Sequence, residues 1–292
     1  MIRLLFLMPF AAALFLGACR SDPAGDWPAP SPALWEVRDG DGQMKGWLFG
    51  TVHALPDGVD WHTRQIDNAV EQAGLLLVEV ANLDDGKAAN ASFMQFARTN
   101  GLPPLTERVT KQDRPALRGL MDKTGLDDSD FTEYESWAAA LMLANAAQAD
   151  QAAGNGADRW LLEQDIPTGE LEGFNQQFRI FDQLSPEDQT DLLMGVVAEA
   201  QDSGGSSNLR AWLTGDIDAL QANTRKGILA DPDLRRILLT DRNRRWAKII
   251  ATKLDQAKDG PVFVAVGAAH MLGEDGLPSL LRRRGFRVNR VQ

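Results

Sequence analysis

The sequence predicts a mixed α/β (α+β) fold in which a central mixed sheet is flanked by helices. Three observations predict it. Short β-rich apolar runs recur toward both ends of the chain, at 33–37, 46–49, 75–80, 262–266 and 286–291, and Leu75 to Val80 is too continuously apolar to have a solvated face. Residues 90 to 165 read as mostly helical, a helical insertion between the strand-rich parts. One plan, strand, Gly-x-x-His, helix, strand, describes both Trp47 to Val80 and Phe263 to Val291, a weak internal repeat.

In chain order, the first eighteen residues read as a signal peptide, with Arg3 as a basic start and an apolar run from Leu4 to Leu16 too short for a comfortable bilayer span. Leu16-Gly17-Ala18-Cys19 resembles the lipobox of bacterial lipoproteins, which makes Cys19 the expected lipidation site and the first residue of the mature chain. Arg20 follows where an Asp would signal inner-membrane retention, so the expectation is an outer-membrane lipoprotein facing the periplasm. Residues 19–32, Pro-rich and polar, read as a flexible tether. Residues 33–292 are expected to form a single domain.

Composition narrows the function classes. Cys19 is the only cysteine, which excludes an internal disulfide and a cysteine-ligated zinc cluster. The net charge of −11 makes nucleic acid and anionic membrane surfaces poor partners for the folded body, leaving the N-terminal lipid as the expected membrane contact.

Ala33 to Val37 and Gly46 to Phe49 flank a turn-rich segment and form an expected hairpin. Asp60 is the expected N-cap of a helix carrying Ile66, Ala69 and Val70 and ending at Gly74. Ser185-Pro186-Glu187-Asp188 starts another helix, and 201–208, with Gly204-Gly205-Ser206-Ser207, reads as a loop. A long helix is expected from about Leu238 to Ala257, then the strand 262–266, a short helix from Leu277 and a last strand.

Two of the three histidines, His53 and His270, stand in Gly-x-x-His directly behind apolar strands. The glycine permits a tight turn, and the histidine can project from the strand end toward a rim where open α/β sheets place their sites. Either histidine alone is equally consistent with a structural role, whereas the pair points to a site. His62, outside the motif, is expected to be solvated in the first turn of a helix. Glu79, near the end of an apolar strand, must reach a polar rim or be paired. Arg242 lies on the helical stripe of Trp246, Ile249 and Ile250, so it is either paired with a carboxylate or aimed at an anion or oxyanion.

Gly50-Thr51-Val52-His53, Val78-Glu79-Val80, Leu171-Glu172 followed by Gln177, Trp212 with Gly215-Asp216, Asp241-Arg242-Asn243-Arg244-Arg245-Trp246-Ala247 and Val266-Gly267-Ala268-Ala269-His270 resemble, in that order, the TraB/GumN family. Two departures are Asp241 in place of the usual Glu and Gly173 in place of a small hydroxyl residue. The second leaves Glu172 open as either a site residue or a surface acid. The family includes the Tiki membrane-tethered metalloproteases. The resemblance therefore implies a divalent metal (manganese, cobalt or zinc) on His53, His270 and Glu79, with Glu79 as third ligand or base, Glu172 a further catalytic acid and Arg242 steadying an oxyanion. Two imidazoles and a carboxylate leave an open position for an activated water. The chain lacks HExxH, GxSxG, Walker and GxGxxG patterns. The expected function is a divalent-metal-dependent peptidase or hydrolase acting on peptides or envelope proteins. The rival is a non-catalytic peptide-binding or regulatory protein of the cell envelope.

Overall fold

The computed structural model describes residues 27–148, 155–202 and 205–292. Cys19, its expected lipid and most of the expected tether lie outside the described residues. Among the described residues no helix is long and apolar enough to cross a membrane.

Six strands, β1 (Leu34–Arg38), β2 (Met44–Thr51), β3 (Leu75–Val78), β4 (Thr168–Glu170), β5 (Val262–Gly267) and β6 (Arg287–Arg290), form one mixed sheet. Their order is β4-β3-β5-β2-β1-β6. The strands β4, β3, β5 and β2 run parallel, while β1 is antiparallel to both its neighbours. The expected hairpin is β1–β2, turned at Gly42, whose φ of 87° suits glycine. β4 was not expected: its Thr-Gly-Glu sequence has no apolar signal, and only its place at the sheet edge makes it a strand.

The helices are α1 (Arg64–Glu71), α2 (Gly86–Phe96), α3 (Arg114–Thr124), α4 (Ser136–Ala147), α5 (Ala157–Leu162), α6 (Phe174–Asp182), α7 (Pro186–Gln201), α8 (Gly205–Leu213), α9 (Ile217–Asn223), α10 (Pro232–Arg235), α11 (Asp241–Gln256) and α12 (Leu277–Arg282). The first starts later than its sequence suggests. Asp60 accepts from the His62 N–H in a local turn, and Thr63 caps α1 by accepting from Ile66 N. The Ser185–Asp188 capping box starts α7 as expected. The expected loop at 201–208 is shorter than its glycines and serines suggest, because α8 is helical from Gly205.

Alternation along β5 explains how the sheet is covered. Phe263 and Ala265 face one layer with Phe49, Trp61, Ile66, Leu161 and Trp212, while Val262, Val264 and Val266 face Trp246, Ile250, Leu254, Leu277 and Leu281. The rest of the helices build a third core around Phe131, Trp137 and Phe178. In that core α4 is apolar almost all round, as a central helix must be.

The repeat holds where it matters for the rim and fails beyond it. β2 and β5 are adjacent and parallel, with Gly50 opposite Val266 and Thr51 opposite Gly267, so both histidines emerge at the same end of the sheet. β3 pairs with β5 in parallel, but β6 crosses to the far edge and pairs antiparallel with β1. The second unit therefore departs from the first after α12.

Candidate functional site

Two chain crossings bring partners to the histidines. On the His53 side, the segment entering α5 lies directly on the strand end: Ala157 N donates to Val52 O at 2.9 Å, and a Cβ on Gly156 would fall 2.1 Å from His53 O. Only glycine allows that approach. It sets Asp158, in the first turn of α5, beside His53, with Oδ2 2.5 Å from Nδ1. The contact is one of charge more than of alignment, since Asp158 Oδ2 has no well-directed donor. Burial opposes protonation of His53 most strongly. The Asp158 charge, its side-chain contact and the Glu79 charge outweigh it, so the imidazole sits above its usual range. Burial likewise pushes Asp158 up, but the charge of His53 wins and the carboxyl is held below the ordinary range. His53 Nε2 is buried and has no partner. His53 lines a pocket of about 270 Å³, counting the part open to solvent, with Val78, Glu79, Val80, Leu83, Asp158 and Leu162.

On the His270 side the partners come from α11. The chain enters that helix through a π-helical turn, Arg236–Thr240, and Arg242 Nη1 donates to Leu238 O of that turn at 3.1 Å. Asn243 Nδ2 donates to Asp275 O, which turns Oδ1 toward His270 Nδ1 at 2.5 Å. Oδ1 can only accept, so His270 carries its proton on Nδ1 and presents a lone pair at Nε2. Arg242 Nη1 meets that lone pair at 3.4 Å. Burial and then the Arg242 charge hold His270 well below its usual range, consistent with a neutral imidazole.

Arg242 is the hub of the rim. Nη2 donates to Glu79 Oε2 and to Glu172 Oε2, each at 2.9 Å, and Nε reaches both oxygens of Glu172 at 3.1 and 3.2 Å. The Trp246 ring lies 4.5 Å beneath the guanidinium. With Leu238 O and His270, all five of its N–H groups are taken. In this arrangement the side chain has no donor left over for the expected oxyanion. Burial opposes the charge on Arg242, but the two carboxylates outweigh it and raise its pKa above the ordinary range.

Glu79 stands just past the end of β3, paired on both oxygens: Oε1 accepts from Gly267 N at 2.8 Å and Oε2 from Arg242. Burial is the dominant effect on it and raises the carboxyl despite those donors. Glu172 is no surface acid, since its side chain is fully buried against Arg242 and also meets Arg245. Gly173, which follows it, has φ of 82°, and a Cβ there would come 2.9 Å from Glu170 Oε1, so a hydroxyl residue would be strained at this position. Asp241 pairs with Arg236 and Arg244 on the surface and takes no part in the rim.

The wheel argument for Arg242 is right for Trp246 and Ile250 and wrong for Ile249, which is 37 % exposed. His62 is only partly solvated, its side chain keeping 32% exposure, and it precedes the helix that Thr63 caps instead of lying in its first turn. It stacks on Trp61 at 4.2 Å and meets the edge of Trp160 at 4.5 Å, with Asp67 on its Nδ1.

A family model described as TraB/PrgY/gumN matches residues 33–290. The chain belongs to the TraB/PrgY/gumN family. It is 26% identical over 268 residues to the uncharacterized protein YbaP of Shigella flexneri, covering 88% of this chain and 92% of that protein. It is 27% identical over 247 residues to the uncharacterized protein YbaP of Escherichia coli K12, covering 80% and 87%. No solved structure matches it significantly.

For this family member the expected metal set can be tested on its donors. Both histidines have Nδ1 held by an oxygen, the usual backing of a metal-ligating imidazole. The rest does not fit. Both Glu79 oxygens are bonded, His270 Nε2 faces a guanidinium, and among the described residues no three His, Cys, Asp or Glu side chains are grouped to hold an ion. The charges at the hub already balance, with Glu79 and Glu172 against Arg242 and Arg245. A divalent ion about 4 Å from the guanidinium would be repelled by roughly 8 kcal/mol at an effective dielectric near 20. The expected cage on His53, His270 and Glu79 is therefore not formed in this arrangement.

Sequence reasoning missed Asp158 and Asn243. Asn243 stands beside Arg242 in the motif and is fully buried, a placement its helical position could have signalled. Asp158 carries no local signal, because only the close approach of Gly156 brings it to His53.

Proposed function

We propose that this domain is a peptide hydrolase of the bacterial envelope in which His53, paired with Asp158, activates water in the pocket it shares with Glu79. The observation that carries the reading is His53 Nε2, buried and without a partner, on an imidazole whose other nitrogen is held by a carboxylate. That is the charge pattern of a general base: the acid lies against the ring and stabilises the imidazolium formed when Nε2 takes a proton. Water then adds its oxygen to the carbonyl carbon, the C–N bond breaks, and Nε2 returns the proton to the leaving amine. Glu79, pinned by Gly267 N–H and Arg242, forms a polar wall of the pocket, while Val80, Leu83 and Leu162 form an apolar one. The enclosed part of this pocket, about 10 Å³, has room for roughly one water.

The lipobox-like Leu16 to Cys19 supports a lipid anchor, and Arg20 after it supports placing the enzyme on the periplasmic side of the outer membrane. A tether of about twelve residues would hold it within a few nanometres of the bilayer, so its substrates would be envelope proteins or passing peptides. Labelling with a radioactive fatty acid should mark the full chain and leave Cys19→Ala unlabelled.

The activity is tested by incubating the full chain, in detergent, with a fluorogenic peptide library. His53→Ala should lower kcat by about 10²- to 10⁴-fold, the range for a positioned acid-base group. Equal cleavage by wild type and His53→Ala would overturn the assignment. Saturable peptide binding with no cleavage by any library member would favour the binding protein instead.

A further inference from the structure

We infer that Arg242 is the built-in cation of this site, taking the place beside Glu79 and His270 that a divalent ion would need. The inference concerns the same pocket as the proposed hydrolase but is independent of turnover. Three features carry it. The guanidinium meets the one lone pair His270 can offer, with Nη1 3.4 Å from Nε2. It also holds Glu79 Oε2 at 2.9 Å, while the other oxygen of Glu79 is occupied by Gly267 N–H, so neither ligand is free to turn inward.

Arg242 is itself fixed on every side. Glu172 receives Nε and Nη2, the π-helical turn supplies Leu238 O, and the Trp246 ring closes the face below. A group with all five donors satisfied and 2 % exposure does not swing aside to admit an ion. The positive charge in this pocket is thus part of the chain, and what faces the substrate is the His53–Asp158 pair against an Arg242–Glu79–Glu172 wall whose second carboxylate charge is met by Arg245.

The test reads metal directly. Full-length protein in detergent is stripped with chelator, dialysed, and titrated with Co²⁺ and Mn²⁺, following calorimetric heat and visible Co²⁺ absorption. The wild type should show no saturable site that depends on His270, so that wild type and His270→Ala give the same titration. In Arg242→Met, where the guanidinium is gone and Glu79 and His270 are released, a Co²⁺ band should appear, and Arg242→Met/His270→Ala should lose it. One equivalent of ion bound by the wild type and lost in His270→Ala or Glu79→Gln would overturn the inference. The wild-type comparison decides the matter even if Arg242→Met does not fold. Peptide cleavage by chelated wild type, absent in His53→Ala, would support the hydrolase separately, so the two readings fail independently.

Discussion

His53 and His270 follow one motif behind adjacent parallel strands, yet they end in opposite chemical states. His53 has a carboxylate on Nδ1, an unpartnered Nε2 and a pKa above its usual range. His270 has an amide oxygen on Nδ1, a guanidinium on Nε2 and a pKa far below it. Both are buried, so burial cannot distinguish them. The difference comes from segments remote in sequence, α5 for one and α11 for the other. A shared motif thus places two side chains on one rim, while the partners decide which one is left able to move a proton.

The comparison breaks most heavily if the shared wall is removed. Arg242→Met leaves Glu79 and Glu172 buried without their cation, and removing one partner of a buried pair typically costs about 3–5 kcal/mol. Urea denaturation should show that loss as a lower midpoint at unchanged slope. In whatever fraction folds, His270 should titrate upward while burial, the larger cause, still holds it down, since the Arg242 charge that adds to it is gone. A smaller effect is expected at the His53 side from Gly156→Ala. Its Cβ would collide with His53 O, and relief of such overpacking costs about 1–3 kcal/mol. The backbone angle there is ordinary for any residue, so the loss would be one of contact and not of conformation. Gly119, whose added Cβ would meet nothing within 4 Å, is the control.

Much of this arrangement is legible in the sequence, and its limits have physical causes. The apolar strands, the two Gly-x-x-His segments and the burial of Arg242 all follow from local periodicity, which determines what a side chain faces. The common rim follows from the repeat, because parallel strands present equivalent ends. What local pattern does not encode is who arrives from elsewhere. Asp158 reaches His53 through a glycine some hundred residues downstream, and nothing in Ala157-Asp158-Arg159 marks the acid as anything but a helix-start residue. The five-fold saturation of Arg242 also lies beyond pattern. A buried arginine must be paired, but whether it retains a free donor depends on Glu79, Glu172, Leu238 O and His270 converging together.

Exchanging the two Nδ1 partners sharpens the comparison with milder changes. Asp158→Asn removes the charge that raises His53, so the imidazole should titrate lower and the acidic limb of the kcat/KM profile should move to lower pH. Stability should respond with a defined sign. A histidine raised in the folded state contributes stability that is complete below its unfolded value near 6.5 and is lost as pH rises through the folded value, so Asp158→Asn should flatten that slope.

The reverse change, Asn243→Asp, should give the smallest titration shift, and its smallness is the point. It offers His270 the kind of partner His53 has and should move its pKa upward, but Arg242 remains on Nε2 and continues to oppose protonation. The variant also takes the Nδ2 donor away from Asp275 O, a cost of about 1–3 kcal/mol for a carbonyl left without its bond. Imidazole proton shifts followed by NMR across pH would report both histidines in one sample. A rise at His270 smaller than the fall at His53 in Asp158→Asn would mean that the guanidinium outranks the Nδ1 partner. A full exchange of the two titrations would mean that the partner alone sets each histidine, and that the Arg242 wall matters only for holding Glu79.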